Sequence, residues 1–267
     1  MKKKTEKAHF KEQWDGMESH LKSFIAKGDQ EELHLFRVQV KKLGAMLTLL
    51  DTGLSKHRLL KDFKPVKLIF KHCGYIRNAY INLQLGVRYK LANEEFVMAQ
   101  LYNIEKGTSD FQQQAKKYLK IIKNAHSVLI DDLKPIDNDL ILEFYKVKME
   151  QIAVTLNNLE FDETLHNCRK QIKTLMYNRK IAQKALIGKL EVNNDYLDKL
   201  QSNIGNWHDN VLAIELFSTP EANDKAVVTK IKRQNTRLKK SIAILTLDFR
   251  NKATMNREVL KEVQKLK

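Results

Sequence analysis

The chain has 267 residues, enough for one large domain or two small bundles that each bury a core. Its 48 lysines and arginines against 32 acids leave a formal charge of +16, which points to a polyanionic partner: nucleic acid, an anionic membrane or polyphosphate. Cys73 and Cys168 are the only cysteines and both sit in helical patterns, which argues against a disulfide framework or a cysteine metal site. No stretch approaches the roughly 18 uninterrupted apolar residues of a membrane span. The basic start Met1-Lys2-Lys3-Lys4 lacks the apolar run of a signal peptide and reads as a loose tail. A soluble protein of a reducing compartment, the cytoplasm, is expected.

Only 9 glycines and 3 prolines punctuate the sequence, and apolar residues recur every three or four positions, so an all-α fold is predicted. In chain order the pattern predicts helices over 12–26, 31–51, 64–90, 94–124, 137–158, 162–187 and 191–217, then a long C-terminal pair from 221 onward. Gly28, Gly53, Pro65, Pro135 and Pro220 fall near the breaks. The segment from Asp131 to Asp137, with Pro135 among clustered aspartates, is the predicted central linker. It separates a first helical repeat, 12–130, from a second, 137–267, within a single domain spanning 1–267.

The halves match once their basic helices are overlaid. His34, Arg37 and Lys41 recur as His166, Arg169 and Lys173, each 132 residues further on. Gly74-Tyr75-Ile76-Arg77-Asn78 recurs as Gly205-Asn206-Trp207-His208-Asp209 at an offset of 131. Two matches at nearly one period imply a duplicated helical unit.

At about 100° per residue, His34, Arg37 and Lys41 share a sector of roughly 60°, opposite Phe36, Val40, Leu43 and Leu47. Such a face is often only solvated, but solvated faces mix charges of both signs. No acid occurs between Glu32 and Asp51, and none between Glu163 and Glu191. The latter stretch carries Arg169, Lys170, Lys173, Arg179, Lys180, Lys184 and Lys189. His166, Arg169, Lys173, Lys180 and Lys184 form one stripe of about five turns, self-repulsive unless an anion is present. Arginine forks match phosphate oxygens, lysine adds a mobile charge, and histidine gains charge near anions.

These residues carry a family resemblance. His34-Leu35-Phe36-Arg37-Val38-Gln39-Val40-Lys41-Lys42-Leu43 resembles the first-repeat motif of CHAD domains, and His166-Asn167-Cys168-Arg169-Lys170-Gln171-Ile172-Lys173 resembles the second. The segments around Arg77-Asn78 and His208-Asp209 are similar to the family's Gly-x-x-(Arg/His)-Asp element. The resemblance implies two pseudo-symmetric four-helix bundles whose basic helices line a central groove or pore holding inorganic polyphosphate, in proteins associated with polyphosphate granules. Some members are fused to a triphosphate tunnel enzyme, whose Glu-x-Glu-x-Lys signature is not found here, and a standalone, bacterial architecture is expected. Gly44 and Met176 stand where the family usually has a further basic residue, and Asn78 where it has aspartate.

The expected polyphosphate-binding residues are His34, Arg37, Lys41, Lys42, Arg77, His166, Arg169, Lys170, Lys173, Lys180, Lys184 and His208. Phosphate, sulfate or other anions would suit the same groove. Asp209 is expected to bond between helices while His208 faces the anion, and Arg77 either meets ligand or pairs within its bundle. The run Lys230 to Lys240 reads as a solvated face. His166 and Cys168 diverge by about 200° and do not form a metal pair. With no phosphate loop, carboxylate pair or Ser-His-Asp spacing, neither an enzyme nor a cofactor is expected. Two rival functions remain: RNA or single-strand binding, weakened because Tyr177 is the main aromatic in the stripes, and a helical protein–protein adaptor whose anion site has decayed.

Overall fold

A computed structural model describes residues 3–54, 58–91, 93–186 and 192–254. Lys189, Glu191, the first two residues and the chain beyond 254, on which parts of the expected stripe, tail and C-terminal pair fall, lie outside them. Among the described residues there is no strand. The helices are α1 (Lys3–Lys27), α2 (Gln30–Asp51), α3 (Leu59–Asp62), α4 (Lys64–Tyr89), α5 (Glu94–Gln113), α6 (Ala115–Asp132), α7 (Asn138–Asn157), α8 (Glu163–Leu186), α9 (Asn194–Leu216), α10 (Lys225–Thr246) and α11 (Phe249–Thr254), with a 3₁₀ turn over Pro220–Ala222. None of them is long and apolar enough to cross a membrane.

The chain divides into two compact units, Met1–Ile136 with Leu216–Lys225, and Asp137–Glu215 with Ala226–Lys267. In the first, Phe10, Trp14, Phe24, Phe36, Phe63 and Phe111 are buried. Trp14 meets Phe10 at 5.2 Å and Phe63 at 6.2 Å between ring centroids, and Phe24 meets Phe111 edge-on at 5.4 Å. In the second, Leu165, Ile172, Leu175, Leu200, Ile204, Trp207, Ile231 and Ile242 are buried, and the Tyr145 hydroxyl donates to the Leu175 carbonyl at 2.8 Å. Cys73 and Cys168 are free, buried core residues, and burial pushes both thiols up to about 12.

Local chemistry sets the helix ends. Gly28 adopts φ +68°, open to glycine without strain, and its N–H closes α1 on the Phe24 carbonyl at 2.7 Å. The Asp29 side chain accepts from Glu31 N–H at 2.8 Å to cap α2, and Asn93 caps α5 through Phe96 N–H at 2.9 Å. Buried Asp51 accepts from the N–H groups of Leu59 and Leu60 at 3.0 and 3.1 Å, fixing the short α3 that periodicity did not predict.

Three expectations are corrected. The loose basic tail does not extend over Lys3 and Lys4, which already belong to α1. Phe10 and Trp14 continue the apolar period, and buried Glu6 accepts from Ile136 N–H at 2.9 Å, its carboxyl pushed up by burial. The single helix expected over 94–124 is two, broken at Gln114 (φ −88°, ψ 3°). Gln112 is turned there to donate to the Ile25 carbonyl at 2.8 Å. The predicted linker is shorter than expected, since α6 runs on to Asp132 and the chain extends only from Leu133.

Candidate anion-binding sites

In the first unit, α2 turns Phe36, Val40, Leu43 and Leu47 into the core and leaves His34, Arg37 and Lys41 facing away from it. The half-buried Arg37 crosses to α4, where its Nη1–H donates to the Phe70 carbonyl at 2.7 Å and its guanidinium lies 4.0 Å from the Phe70 ring centroid. Lys41 Nζ stands 5.9 Å from the same ring. Arg77, about two turns beyond Phe70 on α4, is half-buried with its guanidinium 5.0 Å from the Tyr80 ring. Burial lowers the His34 pKa, and the nearby charges of Arg77, Lys41 and Arg37 lower it further against the opposing pull of Glu31. Lys42 is half-buried beside Lys41.

The second unit repeats this arrangement on α8 and α9. Arg169 Nε–H donates to the Gln201 carbonyl at 3.0 Å. Phe70 lies one turn before Gly74, and Gln201 one turn before Gly205. In both units the arginine therefore adds a second donor to a carbonyl that a helix already uses, and it lies over the glycine that follows. A Cβ at Gly205 would stand 2.8 Å from Arg169 Nε and Nη2, and one at Gly74 would stand 3.4 Å from Arg37 Nη1. The glycine of the Gly-x-x-(Arg/His)-Asp element is thus a seat for the arginine of the other motif. That role was open to sequence reasoning, because a glycine inside an unbroken helical pattern calls for a packing reason.

His166 and His208 stack face to face, with ring centroids 3.8 Å apart and planes inclined by 21°. The His166 Nδ1 is buried without a hydrogen-bond partner. Burial, then His208, Lys170 and Arg169, against Glu163, lower the His166 pKa to about 4. Lys173 is half-buried with its ammonium 5.3 Å from the Tyr177 ring, and its pKa is lowered by burial and by Arg169, with Asp198 opposing. Lys170 is turned toward Glu163 at 3.2 Å and Asn167 at 2.9 Å.

The structure thus brings together His34, Arg37, Lys41 and Arg77 in one unit, and His166, Arg169, Lys170, Lys173 and His208 in the other. Lys180 and Lys184 are exposed about 10 and 16 Å further along α8 than Lys173, beyond the cluster. Asp209 is exposed, and the buried residue beside it is Trp207, which meets Phe161 at 5.6 Å. In the run from Lys230 to Lys240, Lys239 is held 4.9 Å from the Phe161 ring. Sequence reasoning missed the rings of Phe70 and Tyr80 as cation partners, since neither falls in a basic stripe.

Each of the two units thus sets an arginine over a glycine on a cation-bearing helix face, and comparison supplies the family. A family model described as CHAD domain matches residues 8–218, and the chain belongs to that family. Among solved structures it is similar to the crystal structure of the CHAD domain from the plant Ricinus communis, with a TM-score of 0.61 and 14% identity over 94% of this chain and 89% of that one. That likeness shows the fold. No curated protein matches the chain in sequence.

Proposed function

We propose that this protein is a non-enzymatic module that binds inorganic polyphosphate through the basic faces of α2 and α8, at polyphosphate granules in the cytoplasm. The observation that carries the reading is the repeated arginine seat. Each guanidinium is pinned by one hydrogen bond to a carbonyl, which fixes the fork and leaves further N–H groups for phosphate oxygens. His34, Lys41 and Arg77 surround the first fork, and His166, Lys173 and His208 the second.

The rings that neighbour the cluster cations favour polyphosphate over nucleic acid as the ligand. Single-strand binders offer open aromatic faces for base stacking. Here Phe70, Tyr80 and Tyr177 are each approached by a cation. The rings hold charges in place, which suits a polymer of phosphates without bases.

A long-chain polyphosphate should bind with log affinity falling linearly as log salt rises, by roughly one unit of slope for each phosphate neutralised, since bound cations release counterions. Titration over a salt series reads this directly. A slope near zero would contradict binding through charge and favour an adaptor role.

A further inference from the structure

The two clusters differ at one place. The cation coupled to His34 in the first unit is Arg77, whereas the group stacked on His166 in the second is His208. The first is a guanidinium, a fixed cation, and the second an imidazole, the side-chain type whose charge can change within the physiological range. Two imidazolium rings 3.8 Å apart would repel each other, so the pair accommodates one added proton more readily than two. The orphaned Nδ1 of His166 leaves a buried ring nitrogen for that proton or for a ligand oxygen.

The surrounding charges set what an anion would change. From α8 itself come Glu163, Arg169 and Lys170, and from α9 His208, with exposed Asp209 beside it. Phe161, in the connection between α7 and α8, packs on Trp207, and Lys239 of α10 lies against that ring. On α7, Glu150 is held by Arg250 of α11 at 2.6 Å. At His166 the charges of Lys170 and Arg169 act against that of Glu163, and an anion held on Arg169 would offset them.

We propose that the His166–His208 pair takes up a proton when a phosphate group settles in the second unit, making that unit's hold on polyphosphate strengthen as pH falls, while Arg77 gives the first unit a fixed charge at the matching place. The proposal rests on the anion-binding reading above. Without ligand, protonating His166 costs the fold, because its pKa lies below the ordinary value; a bound polyanion removes that cost by pairing the new charge.

Calorimetric titration of long-chain polyphosphate at about pH 6 and about pH 8, in two buffers of different ionisation enthalpy, counts protons taken up with binding. Wild type, His208→Arg and Arg77→His are compared. The wild type should take up protons and bind about threefold or more tighter at the lower pH. His208→Arg should flatten that dependence and raise affinity at the higher pH, and Arg77→His should steepen it. Equal proton uptake and equal pH dependence in all three proteins would overturn the proposal. Absence of proton uptake by the wild type would do so without reference to either variant. Failure to bind at any pH would remove the anion-binding reading itself, and this proposal with it.

Discussion

Gly205→Val is expected to destabilise the protein by about 1–2 kcal/mol, the scale of the hydrogen bond that the displaced Arg169 guanidinium gives up. The cause is local. Gly205 is buried in α9, and a side chain there would enter the space held by the Arg169 guanidinium, whose nitrogens lie 2.8 Å from the Cβ position. Arg169 must then leave the Gln201 carbonyl. Gly74→Ala makes the counterpart. Its Cβ would stand 3.4 Å from Arg37 Nη1, close to ordinary contact, and alanine gains about 1 kcal/mol of helix propensity over glycine, so the net change should be near zero or slightly stabilising. Chemical denaturation of both variants reads the difference. If Arg169 pointed freely into solvent, both substitutions would be benign, and a benign Gly205→Val would refute the seat.

The Arg37→Ala/Arg169→Ala double variant should lose about tenfold or more of its affinity for polyphosphate, whereas Lys180→Ala/Lys184→Ala should lose only about two- to threefold. Each pair removes two positive charges, so a purely diffuse electrostatic attraction would make the losses equal. The account predicts inequality because the arginines are pinned forks within the clusters, whereas both lysines are exposed further along α8, beyond the second cluster. The arginine variants should also cost about 1–2 kcal/mol of stability per site, since each removes a bond joining two helices. Phe70 and Gln201 keep their carbonyls inside helical ladders, so neither is orphaned by the change. Binding measured on folded fractions by a direct titration separates the two effects.

The helical face of α2 was legible in the sequence because the three- and four-residue spacing of Phe36, Val40, Leu43 and Leu47 fixes which way His34, Arg37 and Lys41 point. The recurrence of the histidine, arginine and lysine spacing on α8 was legible for the same reason, as spacing within helices survives drift in residue identity. Other features depend on contacts between helices and leave no local trace. The break at Gln114 has no glycine or proline to announce it, and follows from Gln112 reaching Ile25. The start of α1 was hidden by its lysines, although Phe10 and Trp14 extend the period toward it. Gly74 and Gly205 were visible as members of a motif, but their purpose became clear only with the arginines laid over them. The stacking of His166 on His208 brings together residues 42 positions apart, which one sequence cannot pair.

The central claim is that the clusters are built for phosphate rather than for bases. Competition between long-chain polyphosphate and single-stranded RNA of matched charge, at fixed salt and pH, tests it most directly. The account predicts that polyphosphate displaces the RNA with about tenfold or greater preference, because the rings near the cations are already occupied. Equal displacement, or a preference for the RNA, would contradict it.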